Sequence, residues 1–337
     1  MSNMNASAKW VDGMSAAADF LGNGAIEVNK YESEIADIVR RESIALQRID
    51  KKLANGHPHR YFEQTAIAVA GFTDPRNIAP TPSGPTRVER YAPIKALTAQ
   101  SNFGLFDVEV TKQQGQFASV VATDIEDITS SVVVAEASAI WTGTDTNITT
   151  PTSIQFPGAV NQITLKSQIA VGASIIDAVK AKVASMMANQ TYKVRPTAIY
   201  MNPVLGDFID REAKASDIKL DSVIVAGVTV EGIRTQAGVL PLITDPYIPY
   251  TTDTSYGFTA PGTGNANYIA FIVTEPWIEM PVVNGGGAGT TLEPRLFQLG
   301  LLAGLQEQHV AVHFATIIFK GASYAHAMVA VTRPLPS

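Results

Sequence analysis

The sequence predicts a mixed α+β fold with few long helices. Two stretches, about 124–141 and 174–189, space their apolar residues as helices do, while the last third of the chain alternates apolar and polar residues in short runs bounded by glycine or proline. Prolines at 75, 80, 82, 85 and 93 crowd one region and keep it out of any central strand. At 337 residues the chain has room for two domains and buries roughly three quarters of its unfolded surface. A hydrophobic fraction of 46% against 17% charged residues leaves much apolar surface and little charge to solvate it, which favours large subunit interfaces.

Charge and cysteine usage exclude several classes. The net charge is −6, and the window 201–300 accounts for all of it with eleven acidic and five basic residues, the opposite of a nucleic-acid reader. With no cysteine, there is no disulfide, thiolate metal site or cysteine nucleophile, as suits a protein matured in a reducing cytoplasm. The start, MSNMNASAKWVDG, lacks the basic-then-apolar order of a signal peptide, and apolar runs such as LGLLAGL are far too short to span a membrane. A soluble protein is expected.

Taken in order, residues 1–28 are small and polar with little periodicity and read as an arm that orders against something else. From Tyr31 to Leu53 a charged amphipathic helix is expected, with Ile35, Ile38, Leu46, Ile49 and Leu53 on its stripe and Gly56 ending it. Within it, Arg40–Arg60 holds six basic and two acidic residues, either a solvated helix face or a contact with a polyanion or an acidic neighbour. Gly71–Gly104 reads as an exposed loop or hairpin, a length that is uncommon unless the loop has a task. Leu105–Val121 alternates in "FDVEV" and "FASVV" and reads as strands.

Thr123 and Glu126 form a capping box for a helix over Asp124–Trp141 that buries Ile125, Ile128, Val132, Val133 and Ile140 and stops at Gly143. A Thr- and Pro-rich linker, TGTDTNITTPTS, follows. Ser174 caps the next helix, which carries Ile175, Ile176, Val179, Val183, Met186 and Met187 to Asn189. Thr197–Tyr200 then runs as a short strand into Asn202, a cap whose helix opens with Pro203 and faces a core with Leu205, Phe208, Ile209 and Ala213. The remaining segments, from SVIVAGVTVEGI to HVAVHFATIIFKGASYAHAMVAVT, are β-rich. No repeat of fixed period stands out.

A strand, tight turn and helix at Arg195–Asp217 resembles the entry to an enzyme site, but no residues assemble a nucleophile, a base and an oxyanion donor, and no catalytic residue is assigned. His309 and His313 would share a helix face, yet their surroundings alternate like a strand and no HExxH glutamate is present, so no metal is expected. GHPH at 56–59 reads as exposed imidazoles in a turn after a helix end. GGGAG at 285–289 reads as a flexible loop without the lysine of a phosphate loop, and no cofactor is expected. Asp207 and Asp210 suit a helix N-terminus, and Glu275 and Glu279 share a strand face where acids meet solvent or a partner's base.

This order of parts resembles the major capsid proteins of tailed bacteriophages with the Hong Kong 97 fold, over nearly the whole chain. The helix Ser174–Asn189 followed by "PTAIYMNPVLGDFI", the strand "GVLPLI" at Gly238–Ile243, and the closing "HFATIIFKGASYAHAMVAVT" carry the resemblance. It implies an N-terminal arm at 1–60, an E-loop region at 61–105 with the loop itself at about 70–105, a peripheral domain at 106–172 and 295–337 with a spine helix at about 124–141, and an axial domain at 173–294. It implies a non-enzymatic subunit that assembles as pentamers and hexamers into an icosahedral head around double-stranded DNA, read without sequence specificity, in the virion capsid after assembly in the host cytoplasm. A portal is an implied partner, and a decoration protein an optional one. Members often carry an N-terminal scaffolding domain that a protease removes; here the arm starts almost at once, implying a separate scaffolding protein or assembly without cleavage. Some members weld neighbours through a Lys–Asn bond; Lys95 is a candidate lysine, but no matching Asn or Glu is found and no crosslink is expected. Arg76, Arg87, Glu89 and Arg90 on the loop are expected to meet charged partners on the next subunit. The alternatives are an encapsulin-type nanocompartment shell and, in a different class, a soluble α+β hydrolase using the Asn202–Pro203 turn.

Overall fold

The computed structural model describes residues 43–76, 78, 83–106, 109, 120–225, 228–283, 292–302 and 306–335. Residues 1–42, which hold most of the expected arm together with Ile35 and Ile38 of the expected helix, and the 285–289 glycine loop lie outside them. Helix α1 (Ile44–Arg48) leads into strand β1 (Asp50–Leu53), followed by β2 (His59–Ala66), β3 (Thr86–Ala92) and β4 (Lys95–Gly104). Next come the longest helix, α2 (Val120–Thr142), the single turn α3 (Ala159–Gln162), β5 (Lys166–Ile169), α4 (Ile175–Met187), β6 (Ala198–Met201) and α5 (Pro203–Ala215). The rest is mainly strand: β7 (Asp221–Val225), β8 (Val228–Thr235), β9 (Gly238–Thr244), β10 (Tyr250–Thr251), β11 (Asn265–Val273), β12 (Ile278–Val282), β13 (Arg295–Leu302), β14 (Gln306–Ala315), β15 (Ile318–Phe319) and β16 (Ala327–Pro334). Among the described residues no helix is long and apolar enough to cross a membrane.

An eight-stranded sheet runs β5-β16-β11-β6-β9-β8-β7, with β10 beside β11. Its centre has no solvent face. Successive side chains of a strand point to opposite faces, and in β11 one set, Tyr268, Ala270 and Ile272, joins a core under α4 and α5, while Ile269, Phe271 and Val273 join a second core that holds the end of α2. β6 divides in the same way, with Ile199 and Met201 on the first side and Ala198 and Tyr200 on the second. These strands therefore read as continuous apolar runs, as expected of strands covered on both faces. β16 and β11, which the resemblance places in different domains, are neighbours here from Asn265↔Pro334 to Ile272↔Ala327.

Caps fix the two helices on the first face. Asn202 accepts from the Val204 N–H at 3.0 Å and donates through Nδ2 to the Ile248 carbonyl at 2.7 Å, with Pro203 at the first helical position. Ser174 accepts from the Asp177 N–H at 3.2 Å, and Glu212 of α5 accepts from the Ile175 and Ile176 N–H groups at 2.8 and 3.1 Å. One carboxylate thus satisfies two of the free N–H groups at the start of α4 and ties the helices together.

A six-stranded sheet holds β4, β14, β13, β12, β15 and β1. β4 pairs with β14 from Lys95↔Ala315 to Gly104↔Gln306, and α2 lies across both through Ile128 and Val132 against Ala311, Leu97 and Ala99. After Thr142 the chain turns at Gly143 against Gly158, whose N–H donates to the Gly143 carbonyl at 3.1 Å. A Cβ on Gly143 would stand 2.2 Å from the Phe156 carbonyl oxygen, and one on Gly158 2.3 Å from the Gly143 nitrogen. The obstacles are backbone, so nothing can rotate away. This close approach holds Trp141, 1% exposed, against Phe271 at 4.8 Å and Tyr200 at 5.3 Å between ring centres.

Several expectations are corrected. The helix predicted to reach Leu53 ends at Arg48, because Asp50–Leu53 gains a parallel ladder on Glu279–Val282 that outweighs its helical spacing. α2 already includes Val120, so the FASVV run ends in helix and Thr123 lies inside the helix, not at a cap; Leu105 and Phe106 are helical too. His59 is buried at the start of β2, unlike exposed His57. The Thr- and Pro-rich stretch is a loop built on its own hydrogen bonds and not a linker: buried Asp145 accepts from the N–H groups of Asn147, Thr152 and Ser153 at 3.2–3.4 Å. Burial alone would raise the Asp145 carboxyl, but these donors outweigh it and hold it below the usual range.

Two outcomes follow. Gly143→Ala forces apart two backbone segments and is expected to leave the chain insoluble or to lower its Tm by several degrees, read by thermal unfolding of the soluble fraction. His326 is fully buried, accepting from the Thr274 N–H at 3.4 Å and facing the Lys320 carbonyl at 3.1 Å; burial pushes its pKa down to about 4 despite that carbonyl. A depressed folded-state pKa means the unfolded chain binds the proton first, so stability is full above pH ~6.5 and is lost as pH falls towards about 4, by about 3 kcal/mol. Denaturant titrations of wild type and His326→Gln between pH 7 and 4 should show the variant losing that part of the slope.

Candidate assembly surface

β2 and β3 form a two-stranded hairpin that belongs to neither large sheet, paired from His59↔Ala92 to Ala66↔Thr86. Two cross-strand ion pairs straddle it: Arg60 Nη1 to Glu89 Oε1 at 2.8 Å and Arg90 Nε to Glu63 Oε2 at 3.0 Å. The four residues singled out from sequence therefore divide. Glu89 and Arg90 hold partners within the hairpin, whereas Arg87, opposite Gln64, and Arg76, in the turn after Asp74, are exposed and make no ion pair among the described residues. Arg60 and Glu63 are not among the residues singled out from sequence; each becomes a partner only once HRYFEQTA is set against TRVERYA in register.

The base of the hairpin is fastened. Glu63 Oε1 accepts from the Gly321 N–H at 3.2 Å, and the Lys320 ammonium sits 5.6 Å from the Tyr61 ring centre. Lys320 also meets Glu279 Oε2 at 2.6 Å, and Lys52 of β1 meets Glu279 Oε1 at 2.5 Å. Burial would raise the Glu279 carboxyl, but the two ammonium groups hold it below the ordinary range. Glu275, the other acid of that segment, takes Arg48 on both oxygens at 2.7 and 2.8 Å and the Tyr200 hydroxyl at 2.6 Å. The basic run Arg40–Arg60 thus meets acidic neighbours within its own chain at Arg48, Lys51, Lys52 and Arg60.

Beyond the base the hairpin stands off the body. Residues 66–76 are exposed throughout, including Ile67 at 76%, Val69 at 80% and Phe72 at 109%. Large apolar side chains this exposed, next to one another, mark a contact surface. Lys95 is not part of it. Its ammonium donates to the Ser153 carbonyl at 2.5 Å and lies 3.8 Å from buried Asp145, an anchored structural cation.

The histidines on β14 share one buried face, as strand spacing requires, and His313 Nδ1 lies 2.9 Å from Glu136 Oε1 on α2, out of line for a hydrogen bond. Among the described residues no cluster of three side chains could hold a metal. At the Asn202–Pro203 turn, Asn202 spends its amide on the cap and the Ile248 carbonyl and is 7% exposed, while Pro203 is exposed.

No protein-family model matches the chain, and no curated protein matches its sequence. Solved structures do. The capsid of a native GTA particle aligns over 96% of this chain and 100% of its own with a TM-score of 0.63 at 12% identity. The SrpI encapsulin of Synechococcus elongatus PCC 7942 aligns over 93% and 94% with 0.61 at 11%, and the capsid of cyanophage A-1(L) over 90% and 96% with 0.61 at 11%. The chain has this α+β, Hong Kong 97-like capsid fold.

Glu63→Ala releases both Arg90 and the Gly321 N–H at a largely buried position. It is expected to cost the hairpin about 1–2 kcal/mol of local stability. Amide exchange across 59–66 and 86–92 should quicken roughly tenfold while exchange in β11 and β16 stays unchanged.

Proposed function

We propose that the chain is the major capsid protein of a tailed double-stranded DNA phage, a structural subunit that assembles as pentamers and hexamers into the icosahedral head. The hairpin carries this reading: a strand pair fastened at its base, apolar beyond it and exposed among the described residues has its use when a neighbour lies against it. The rest of the chain is built to hold that hairpin steady. Each subunit gives and receives such contacts, and one held at several sites cannot leave by breaking one, so weak contacts become a stable shell.

In this reading 1–60 is an arm, 61–105 contains the E-loop, 106–172 with 295–337 is peripheral, and 173–294 is axial and lines the five- and six-fold axes. Arg76 and Arg87, which make no ion pair among the described residues, meet acidic groups of the next subunit, while Glu89 and Arg90 act through the hairpin's own pairs. A portal and packaged DNA held without sequence reading complete the virion, a separate scaffolding protein guides assembly, and a decoration protein is an optional outer partner. Assembly takes place in the host cytoplasm.

A nanocompartment shell is favoured to a similar degree by the TM-score of 0.61 to the encapsulin. The two part on contents, with genomic DNA, portal and tail on one side and enclosed protein on the other.

Light scattering of the expressed chain should report megadalton particles; a monomer would sink the proposal. Arg87→Glu should leave circular dichroism unchanged and lower particle yield, since a lost contact weakened by about 1.4 kcal/mol is tenfold in its equilibrium. Normal yield would remove Arg87 from the contact.

A further inference from the structure

β12 and β13 lie end to end along the same side of β14, because Val282 faces Ala315 and Arg295–Leu302 faces Val312–Gln306, while β4 takes the whole other side. Both run in the same direction. The outer edge of β12 is covered by β1, parallel from Asp50↔Glu279 to Leu53↔Val282, and there the chain turns away, its last bond running from the Ala54 N–H to the Val282 carbonyl. The outer edge of β13, in line with β1, pairs with no strand among the described residues. It is apolar and half open on both faces, with Leu296 at 42%, Phe297 at 43% and Leu299 at 45% exposed. An uncovered apolar edge strand is a template for another chain.

The same chain carries a segment with the matching deficit. Ala66–Phe72, AIAVAGF, continues β2 as an apolar, exposed segment outside any helix; among the described residues its backbone makes no backbone–backbone bond beyond Ala66, and Val69 instead bonds the Ser83 hydroxyl, donating at 2.8 Å and accepting at 3.2 Å. Seven residues at ~3.3 Å each match the eight-residue length of β13. Resting on the shell reading above, we propose that Ala66–Phe72 of a second copy adds as a strand to the outer edge of β13. An edge on one part of the molecule and a strand on another make a head-to-tail contact, which repeats around a ring.

The chain has no cysteine, so engineered pairs report cleanly. Ile67→Cys or Val69→Cys is combined with Leu296→Cys, Phe297→Cys or Leu299→Cys, and particles are oxidised after imaging. Adjacent strands bring Cα atoms to ~4.5–5.5 Å, within disulfide reach. The expected result is a ladder of covalent dimers and higher species for at least one pair, absent from every single-cysteine control. Particles that form but give no ladder overturn this proposal and leave the shell reading standing. A chain that never assembles overturns both.

A second variant guards against a misfolded cysteine pair. Ala70→Pro removes a donor from the added strand while touching no ladder of its own subunit. In its particles, amide exchange across 295–302 should return to the rate of the dissociated subunit. Protection that persists would mean that another segment, such as residues 1–42, covers β13, and would overturn the assignment.

Discussion

The constraint on which the rest depends is the burial of Trp141. An indole taken out of water needs a partner for its N–H, and here Nε1 donates at 3.1 Å to Asp245 Oδ2, a carboxylate with no exposed surface. The same oxygen faces the Ser43 hydroxyl at 3.4 Å, and Oδ1 accepts from the Tyr247 N–H at 2.9 Å. Four distant pieces of chain meet at this point: the segment before α1, the end of α2, the exit of β9 and, through Phe271 and Tyr200, the centre of the large sheet. Removing the indole would cost on the order of 3–5 kcal/mol, a large part of any domain's margin.

From that joint the mechanics run outwards. Arg48, one turn after Ser43, is clamped on Glu275, and the Tyr200 hydroxyl joins the same carboxylate, so its proton is held well above the usual phenol range by burial and by that negative charge. β1 follows directly onto the edge of β12, and Lys52 brings it to Glu279, which shares its charge with Lys320 beneath the hairpin. The hairpin is therefore supported by a chain of paired charges leading back to the buried indole. A fastened, charge-paired strand pair that holds an apolar segment beyond it is suited to a repeating contact, since an unfixed one would lose ordering entropy each time it bound.

What the sequence made legible was local. Ser174 and Asn202 cap their helices because their partners lie two or three residues away, and the apolar stripes of α4 and α5 face the core as their periodicity requires. The Asp145 loop was misread for the same reason: Asp, Asn and Thr satisfy nearby N–H groups, and composition alone does not separate such a cage from a flexible linker. β1 was read as helix because the strand it pairs with lies more than two hundred residues away. Glu89 and Arg90 were identified as charged positions on the hairpin, but their partners, Arg60 and Glu63, emerge only when β2 and β3 are set in register. Trp141 and Asp245 carried no motif at all, and Glu275, paired in the sequence with Glu279 on a strand face, lies in the turn before β12, where its partners Arg48 and Tyr200 come from far along the chain.

The most direct test of the whole account is a cryo-EM reconstruction of particles assembled from this chain. It should place residues 59–92 of every subunit in ordered contact with a neighbouring subunit, with the Trp141–Asp245 joint unchanged. A closed shell in which that hairpin points into solvent and touches no neighbour would contradict it.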